Sequence, residues 1–307
     1  MMRKTDNLRV LFLGMPGGTS TIVLEALLAA GCDVVGVALG ANGGAGGAPI
    51  APLRPPRVAS LLPIANPFPE RTSAHVAWER GLPAFALYRP GASEAIAALA
   101  ALRPDAACVA CFPRRIPAEL LAVPPRGFLN YHPSLLPAHR GPEPLFWTFR
   151  AGESRAGVTV HFMDEGLDTG DIAAQAPLAL PDGISGAAAE RLCSALGGQL
   201  MAAALRDLPA GTLARQQQPP GGSREPAPAA EDFRIDAGWT ARHAFNFMRG
   251  TAEWGQPYPL AAGGTELTLA AAISYDAGAT LEQAYVPTGD EVWVRLAQGV
   301  LRARLAR

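Results

Sequence analysis

The sequence predicts an α/β fold, in which a Rossmann-like parallel sheet is followed by a smaller, β-rich domain. Apolar runs alternate with helical patterns through the first two thirds of the chain, and short apolar runs return near its end. Such alternation favours a parallel sheet with helices on both faces. With 307 residues, 49% of them hydrophobic, the chain can form a large core in the first domain and a second, smaller one.

The first strand is predicted at residues 8–13 and the first helix at residues 19–30, with Thr19 or Ser20 as the helix cap. The glycine-rich turn between them does not match the G-x-G-x-x-G pattern, which argues against a dinucleotide site. The next predicted elements are a strand at 33–39, a helix at 93–101, a strand at 106–112 and a helix from Pro117 to Leu121.

Two segments are predicted to lack regular structure. Residues 1–7 form a polar tail, and residues 40–69 are so rich in Gly, Ala and Pro that we expect a long loop without a regular element.

A helix at residues 190–208 is predicted to close the first domain. The next stretch has the composition of a linker, so the predicted domains are residues 1–208 and 231–307, with the linker at 209–230. Apolar runs at 267–271, 291–296 and 300–305 predict strands of a small, open, barrel-like C-terminal domain.

Charge and cysteine content exclude several classes of protein. The net charge of -1 does not favour nucleic acid as the principal partner, although a local basic patch is compatible with it. Four cysteines, no signal-peptide region and no apolar run of membrane-spanning length predict a soluble, cytoplasmic protein without a membrane partner.

Cys108 and Cys111 match the C-x-x-C pattern inside a predicted strand. Residues three apart on a strand face opposite sides, and no second C-x-x-C completes a zinc site. We therefore expect two buried core cysteines and no metal.

Polar residues end a short apolar run at residues 126–130, which predicts a buried strand, and Pro133 then starts a loop. Asn130 and His132 are two residues apart and therefore share one face of the strand. A second strand, at 157–163, leads into an acidic, glycine-containing loop that can bring Asp168 beside His132. Polar groups at the carboxyl ends of strands are typical of active sites in α/β sheets.

An amide, an imidazole and a carboxylate together suit transfer of an acyl group to an amine. Asn130 and a charged His132 can hydrogen-bond the oxyanion of a tetrahedral intermediate, while Asp168 orients the imidazole. His161 stands mid-strand among apolar residues and is expected to be structural or to lie one layer below the site. For His139 and Arg140, contact with an acceptor and simple loop solvation both stay open.

Residues 130–141 read NYHPSLLPAHRG and residues 163–171 read MDEGLDTGD. These two motifs, in this order and spacing, resemble the signature of the 10-formyltetrahydrofolate-dependent formyltransferases. That family includes enzymes that formylate methionyl-tRNA, glycinamide ribonucleotide and amino sugars. The resemblance implies that Asn130, His132 and Asp168 are the catalytic residues and that 10-formyltetrahydrofolate is the co-substrate.

The resemblance also implies a folate pocket. Residues 112–117 should line one wall and the loop at 163–166 should form the other, because both segments follow strands that we expect to end at the same edge of the sheet. The residues expected to bind folate are Phe112, Arg114, Ile116, Met163, Asp164, Glu165 and Gly166.

The amine acceptor stays open between two alternatives. The two-domain layout favours methionyl-tRNA. In that branch of the family an inserted basic loop grips the tRNA, whereas residues 40–69 here contain Arg54 and Arg57 and no lysine. Phosphate binding depends on the number of cations offered, so this departure favours a small amine, such as an amino sugar or an ornithine derivative.

Two further functions are compatible with the motifs. Hydrolysis of 10-formyltetrahydrofolate occurs in a related domain that lacks the Asn found here at position 130, and a silent folate-binding protein would not need the intact catalytic set. A Ser-His-Asp hydrolase would use Ser134, but the chain has no G-x-S-x-G elbow. The resemblance implies instead that this serine stabilises the turn.

Overall fold

The computed structural model describes residues 8–43, 47–55 and 71–306, so the predicted polar tail at 1–7 lies outside the described residues. The predicted α/β fold class is confirmed. The chain forms two compact units, each made of several segments that alternate along the sequence. The first comprises Met1–Pro137, Val158–Ala176 and Arg191–Gly222, and the second comprises Ala138–Gly157, Pro177–Glu190 and Ser223–Arg307. The predicted domain limits at 208 and 231 stay a prediction.

An eight-stranded sheet organises the fold, in the order β3-β4-β2-β1-β5-β6-β7-β8. Its strands are β1 Arg9–Gly14, β2 Asp33–Gly40, β3 Ile50–Pro52, β4 Ala84–Leu87, β5 Ala106–Ala110, β6 Phe128–His132, β7 Arg155–Phe162 and β8 Ile172–Ala179. The central strands β4, β2, β1, β5 and β6 pair in parallel. They read as continuous apolar runs because both faces of a parallel sheet are covered.

In the described part of the chain, five helices lie between these strands, and a sixth follows β8: α1 Gly18–Ala29, α2 Ser73–Glu79, α3 Ser93–Ala100, α4 Ala118–Leu121, α5 Pro144–Arg150 and, after β8, α6 Gly186–Asp207. One core cluster joins Leu11 and Leu13 of β1 to Leu99 of α3 and Phe128 of β6, all of them buried. Among the described residues, no helix is long and apolar enough to cross a membrane.

Two expectations about local structure are wrong. The cap of α1 is Gly17, and Thr19 and Ser20 lie buried inside the first turn. Ser20 instead uses its hydroxyl within unit 1, accepting from the backbone of Met15 and donating to that of Ala110. Cys108 is buried as expected, but Cys111 is exposed, because β5 ends at Ala110 and Cys111 adopts a positive φ of 54°.

Three short elements break the expected pattern before β5. Residues 40–69 contain β3, which pairs antiparallel with β4, so this stretch is not wholly irregular. Residues 56–69 lie outside the described part of the chain. The elements α2 and β4 follow, and neither carries a strong sequence signal because each is no longer than seven residues. Helix α6 begins at Gly186, four residues before the predicted start at 190.

The last strands of the large sheet do not continue its parallel order. β7 pairs antiparallel with β6, so the end of β7 lies beside the start of β6, with Phe162 opposite Leu129. We expected the loops after β5 and β7 to leave from the same edge of the sheet, and this expectation is wrong.

The second unit contains an open antiparallel sheet of five strands in the order β11-β12-β13-β10-β9. Its elements are α7 Ala241–Thr251, β9 Tyr258–Ala262, β10 Thr265–Asp276, β11 Tyr285–Thr288, β12 Glu291–Arg295 and β13 Val300–Leu305. Phe146 of α5 packs edge to face against buried Phe233, against buried Phe247 of α7 and also against the exposed Trp254. The predicted β-rich C-terminal region is confirmed.

Candidate active site

Asn130 of β6 and His161 of β7 face each other across the antiparallel ladder. The amide nitrogen Nδ2 of Asn130 lies 3.0 Å from Nε2 of His161, which is a hydrogen-bond distance. His132 lies two residues beyond Asn130, and its ring centroid is 6.4 Å from that of His161. Both imidazoles are almost fully buried. The strand pairing therefore brings a second histidine to the predicted site.

The contacts of His161 indicate which of its nitrogens carries the proton. Its Nδ1 lies 2.9 Å from the backbone oxygen of Phe162, which can only accept a hydrogen bond. In the neutral ring Nδ1 therefore donates and Nε2 accepts from the amide of Asn130. This arrangement uses one N–H of the Asn130 amide and leaves the second for another acceptor.

Asp168 lies between the two imidazoles. Its Oδ1 is 3.7 Å from Nδ1 of His132 and 3.6 Å from Nε2 of His161, too long for hydrogen bonds, and it pairs ionically with either ring only when that ring is protonated. The residue is 9% exposed and has a φ of 56°, in the left-handed region that non-glycine residues seldom adopt. Backbone outliers of this kind cluster at functional sites.

The proline-containing turn after β6 is anchored by a buried hydroxyl on β7. The hydroxyl of Thr159 donates to the backbone oxygen of Ser134 at 2.7 Å and accepts from the backbone nitrogen of Leu136 at 3.1 Å. Gln175 of β8 donates to the same hydroxyl and to the backbone oxygen of Leu136. These bonds fix the backbone that directly follows His132.

A cavity of about 240 Å³ in the first unit is lined in part by the loop that carries Asp168. Ile116, Pro117 and Ala118 form its apolar wall, and Arg115 and Glu165 its polar side. The guanidinium of Arg115 donates to the backbone oxygen of Glu165, so the segment after β5 and the loop after β7 meet here. Arg115 was not among the expected binding residues.

The other expected folate-binding residues do not line this cavity. Phe112 and Met163 pack against the core cluster. Arg114 donates to the backbone oxygen of Ala41 at 3.0 Å. The carboxylate of Asp164 accepts from the backbone nitrogen of Gly166 and thereby shapes the loop.

His139 and Arg140 belong to the second unit, and the structure gives both residues partners there. The His139 ring lies between two carboxylates, 3.1 Å from Glu153 and 3.3 Å from Glu225. Arg140 exchanges backbone hydrogen bonds with Ser223 and Glu225. Simple solvation of this loop is therefore excluded for His139.

His161 was expected to be structural or to lie one layer below the site, and the antiparallel pairing of β6 with β7 favours the second alternative, because it places His161 opposite Asn130. A further residue near the site was not anticipated from the sequence. Gln218 lies in the predicted linker, yet its amide donates to the backbone oxygens of Asp168 and Gly170 at 2.8 Å each. Among the described residues no group of three His, Cys, Asp or Glu side chains could hold a metal ion.

The sequence pattern of the family described as Formyl transferase matches residues 72–201. A methionyl-tRNA formyltransferase of Anaeromyxobacter dehalogenans is 43% identical over 52% of this chain, which spans 51% of that relative. The methionyl-tRNA formyltransferase of Pelotomaculum thermopropionicum is 32% identical to this chain, and the match covers 80% of this chain and 73% of that relative. The solved N-formyltransferase of Helicobacter canadensis, in complex with folinic acid and dTDP-3-aminofucose, superposes with a TM-score of 0.62. It is 14% identical, and the match covers 97% of this chain and 99% of that one.

Proposed function

This chain belongs to the formyltransferase family, and from that membership we propose that it transfers a formyl group from 10-formyltetrahydrofolate to the amino group of methionyl-tRNA. The observation that carries the proposal is the cluster of half-buried Asn130 with buried His132, His161 and Asp168 on β6, β7 and the loop between β7 and β8. Two relatives in which the match covers more than two thirds of their own length are methionyl-tRNA formyltransferases.

The cluster can stabilise the charge that develops during formyl transfer. Attack of the amine on the formyl carbon places a negative charge on the formyl oxygen, which needs hydrogen-bond donors in a site that excludes water. The second N–H of the Asn130 amide and the imidazolium of His132 are such donors. His161 holds the Asn130 amide in a fixed orientation while its other N–H serves the oxyanion.

Asp168 completes the proton balance of the reaction. The new bond joins the amine nitrogen to the formyl carbon, and the bond from that carbon to the folate nitrogen breaks. The neutral amine becomes an ammonium as it attacks and must then lose a proton, and the departing folate nitrogen must gain one. Asp168, 3.7 Å from Nδ1 of His132, supports the charged imidazole and relays the proton through a water. Distances of this kind are often longer before substrates bind than during reaction.

The cavity lined in part by the loop that carries Asp168 fits part of a folate. Its apolar wall around Ile116 and Pro117 can cover a flat ring system, and the guanidinium of Arg115 offers a partner for a carboxylate of the glutamate tail. At about 240 Å³ it is smaller than a typical drug-sized site and would hold only a portion of the molecule. A folate bound there would lie next to the loop that carries Asp168.

A small amine is the second candidate acceptor, and the charges of the second unit favour it. Arg234 pairs with Glu266 at 2.7 Å and Arg242 with Asp182 at 2.8 Å, so each of these cations is partly neutralised before any phosphate arrives. Residues 40–69 add only Arg54 and Arg57.

Because we propose methionyl-tRNA as the acceptor, we also propose that the enzyme acts in the cytoplasm.

The test compares acceptors with one enzyme preparation. Release of tetrahydrofolate is followed with methionyl-tRNA, with an amino-sugar nucleotide, with an ornithine derivative and without any amine. The proposal expects the highest kcat/KM with methionyl-tRNA and only slow turnover without an amine. A higher kcat/KM with a small amine would replace the acceptor, and equal turnover without an amine would identify a hydrolase.

A further inference from the structure

The loop that carries Asp168 is tied to a segment nearly fifty residues further along the chain. Ile172 and Gln216 exchange two backbone hydrogen bonds, of 2.7 and 3.0 Å. The guanidinium of Arg215 lies over the ring of Phe162, 3.7 Å from its centroid. Residues 215–218 therefore run alongside both ends of the loop at residues 163–171, and we call this segment the strap.

Gln218 contacts the loop at Asp168 itself. The two N–H groups of its amide donate to the backbone oxygens of Asp168 and Gly170, each at 2.8 Å. An amide nitrogen carries two hydrogens, so this one group serves both carbonyls, which flank Thr169. A change in the position of Gln218 would therefore move or release the backbone of Asp168 directly.

Other contacts hold the loop elsewhere. Asp164 accepts hydrogen bonds from the backbone of Gly166 and the hydroxyl of Thr169, which shapes the first half of the loop. Gly170 packs so closely on Phe162 that an added Cβ would lie 1.8 Å from its backbone oxygen. These contacts hold residues 164, 166, 169 and 170, whereas the left-handed conformation of Asp168, with a φ of 56°, needs an anchor at that residue itself.

We infer that Gln218 is a positioning residue for formyl transfer, which fixes the carboxylate of Asp168 between His132 and His161 by holding the backbone of the loop. The inference rests on the proposed role of Asp168. In this role Gln218 contacts neither the substrates nor the reacting atoms, and it acts only through Asp168. Misplacement of a reacting group by about 1 Å can cost about a hundredfold in rate, so the loss of two hydrogen bonds at this backbone should be visible in kcat.

The experiment is a double-mutant cycle on the full chain. Formyl transfer is measured for Gln218→Ala, Asp168→Asn and the double variant, with Gln217→Ala as the matched control, since Gln217 is an exposed neighbour. Gln218→Glu is added because it keeps the volume of the side chain but replaces the donating amide with an accepting carboxylate. Thermal unfolding of each variant shows whether it is folded.

We expect Gln218→Ala to lower kcat about tenfold with little change in either KM, and Gln218→Glu to lower it at least as much. In the Asp168→Asn background, removal of Gln218 should change kcat by less than about twofold, because the group that it positions is already lost. Gln217→Ala should resemble the wild type.

Each contrary result has its own meaning. Additive losses in the double variant, or wild-type kcat in folded Gln218→Ala, would overturn the inference and leave the proposed function standing. If Asp168→Asn itself kept wild-type turnover, the proposed role of Asp168 would fall and the inference with it. A loss of melting temperature together with a proportional loss of active enzyme, at unchanged kcat per folded molecule, would assign Gln218 a purely structural role.

Discussion

The amide of Asn130 is hydrogen-bonded at 3.0 Å to Nε2 of His161, on the neighbouring antiparallel strand. The bond constrains the rotation of the amide, and the contact of His161 Nδ1 with the backbone of Phe162 constrains the imidazole in turn. The proposed oxyanion donor Asn130 thus receives its orientation from a buried residue that need not touch the substrate.

His161→Ala should therefore lower kcat by about ten- to a hundredfold, because an oxyanion donor that can rotate loses much of its effect. His161→Gln should retain more activity, since its side-chain oxygen can accept from Asn130 near the position of Nε2. The measurement is kcat and KM for both substrates, with thermal unfolding as the control for folding. Equal activity of the Ala and Gln variants would contradict a role through the hydrogen bond.

The sequence predicted much of this site because short-range rules govern it. Asn130 and His132 lie two apart on one strand, so their common face follows from strand geometry alone. The position of His161 depends instead on the direction and register of β7, and these are set by a long connection that contains α5. A one-residue change of register would turn His161 to the opposite face of the sheet.

The strap escaped prediction for a different reason. Gln218 stands among glutamines, prolines and glycines, a composition that also describes an exposed linker. Its contacts with Asp168 and Gly170 are to backbone oxygens, which any residue offers, so no partner type marks them in the sequence. Short elements such as β3 were missed similarly, since three residues carry too little periodicity to detect.

The central prediction concerns the proposed catalytic pair. His132→Ala and Asp168→Asn should each lower kcat by at least about a hundredfold, the usual size of general acid–base and oxyanion effects. Both residues are nearly buried, so circular dichroism and thermal unfolding must show that each variant folds. Near wild-type turnover in either folded variant would refute the assigned mechanism.

Folate should bind between residues 112–117 and residues 163–168, where Arg115 reaches the backbone of Glu165. A folate analogue should slow amide hydrogen exchange in both segments, because the ligand would bridge them, and leave β12 unchanged as an internal control. Ile116→Ala should raise the KM for 10-formyltetrahydrofolate severalfold through lost apolar contact, since Ile116 lines the cavity. Protection confined to the turn at residues 14–18 would place the folate elsewhere.

Stability at acidic pH should depend on His243. Burial lowers the pKa of His243 below its ordinary value near 6.5, with its ring stacked on Trp239 at 3.8 Å and bonded to the backbone of Arg150. Because the folded state disfavours protonation of His243, the stability that its neutral ring contributes is fully present when the pH is above the ordinary pKa. This contribution to the free energy of unfolding is lost as the pH falls from the ordinary pKa of His243 through its lowered pKa in the folded state.

His243→Gln should therefore lose less stability than the wild type when urea unfolding is compared at about pH 7 and pH 5. The substitution His75→Gln, on α2 in the first unit, serves as the control and should keep the acid-dependent loss. An unchanged loss in His243→Gln would assign the acid sensitivity to other groups.

The last prediction tests the acceptor through its phosphates. Arg54 is exposed, and Arg57 lies outside the described residues but belongs to the same segment. If methionyl-tRNA is the acceptor, the double variant Arg54→Ala, Arg57→Ala should raise its KM severalfold at moderate salt. The dependence of binding on salt should flatten by about one unit of slope for each lost contact, because fewer counterions are released.

Arg242→Ala is the matched control for this prediction, because the Arg242 guanidinium is already paired with Asp182 and should contribute less to phosphate binding. Turnover with a small amine should be unaffected in the double variant, since the folate cavity and the Asn130–His161 pair are untouched. An unchanged KM and an unchanged salt dependence would show that these arginines do not meet the tRNA. Combined with efficient formylation of a free amino sugar, that outcome would replace methionyl-tRNA by a small amine as the acceptor.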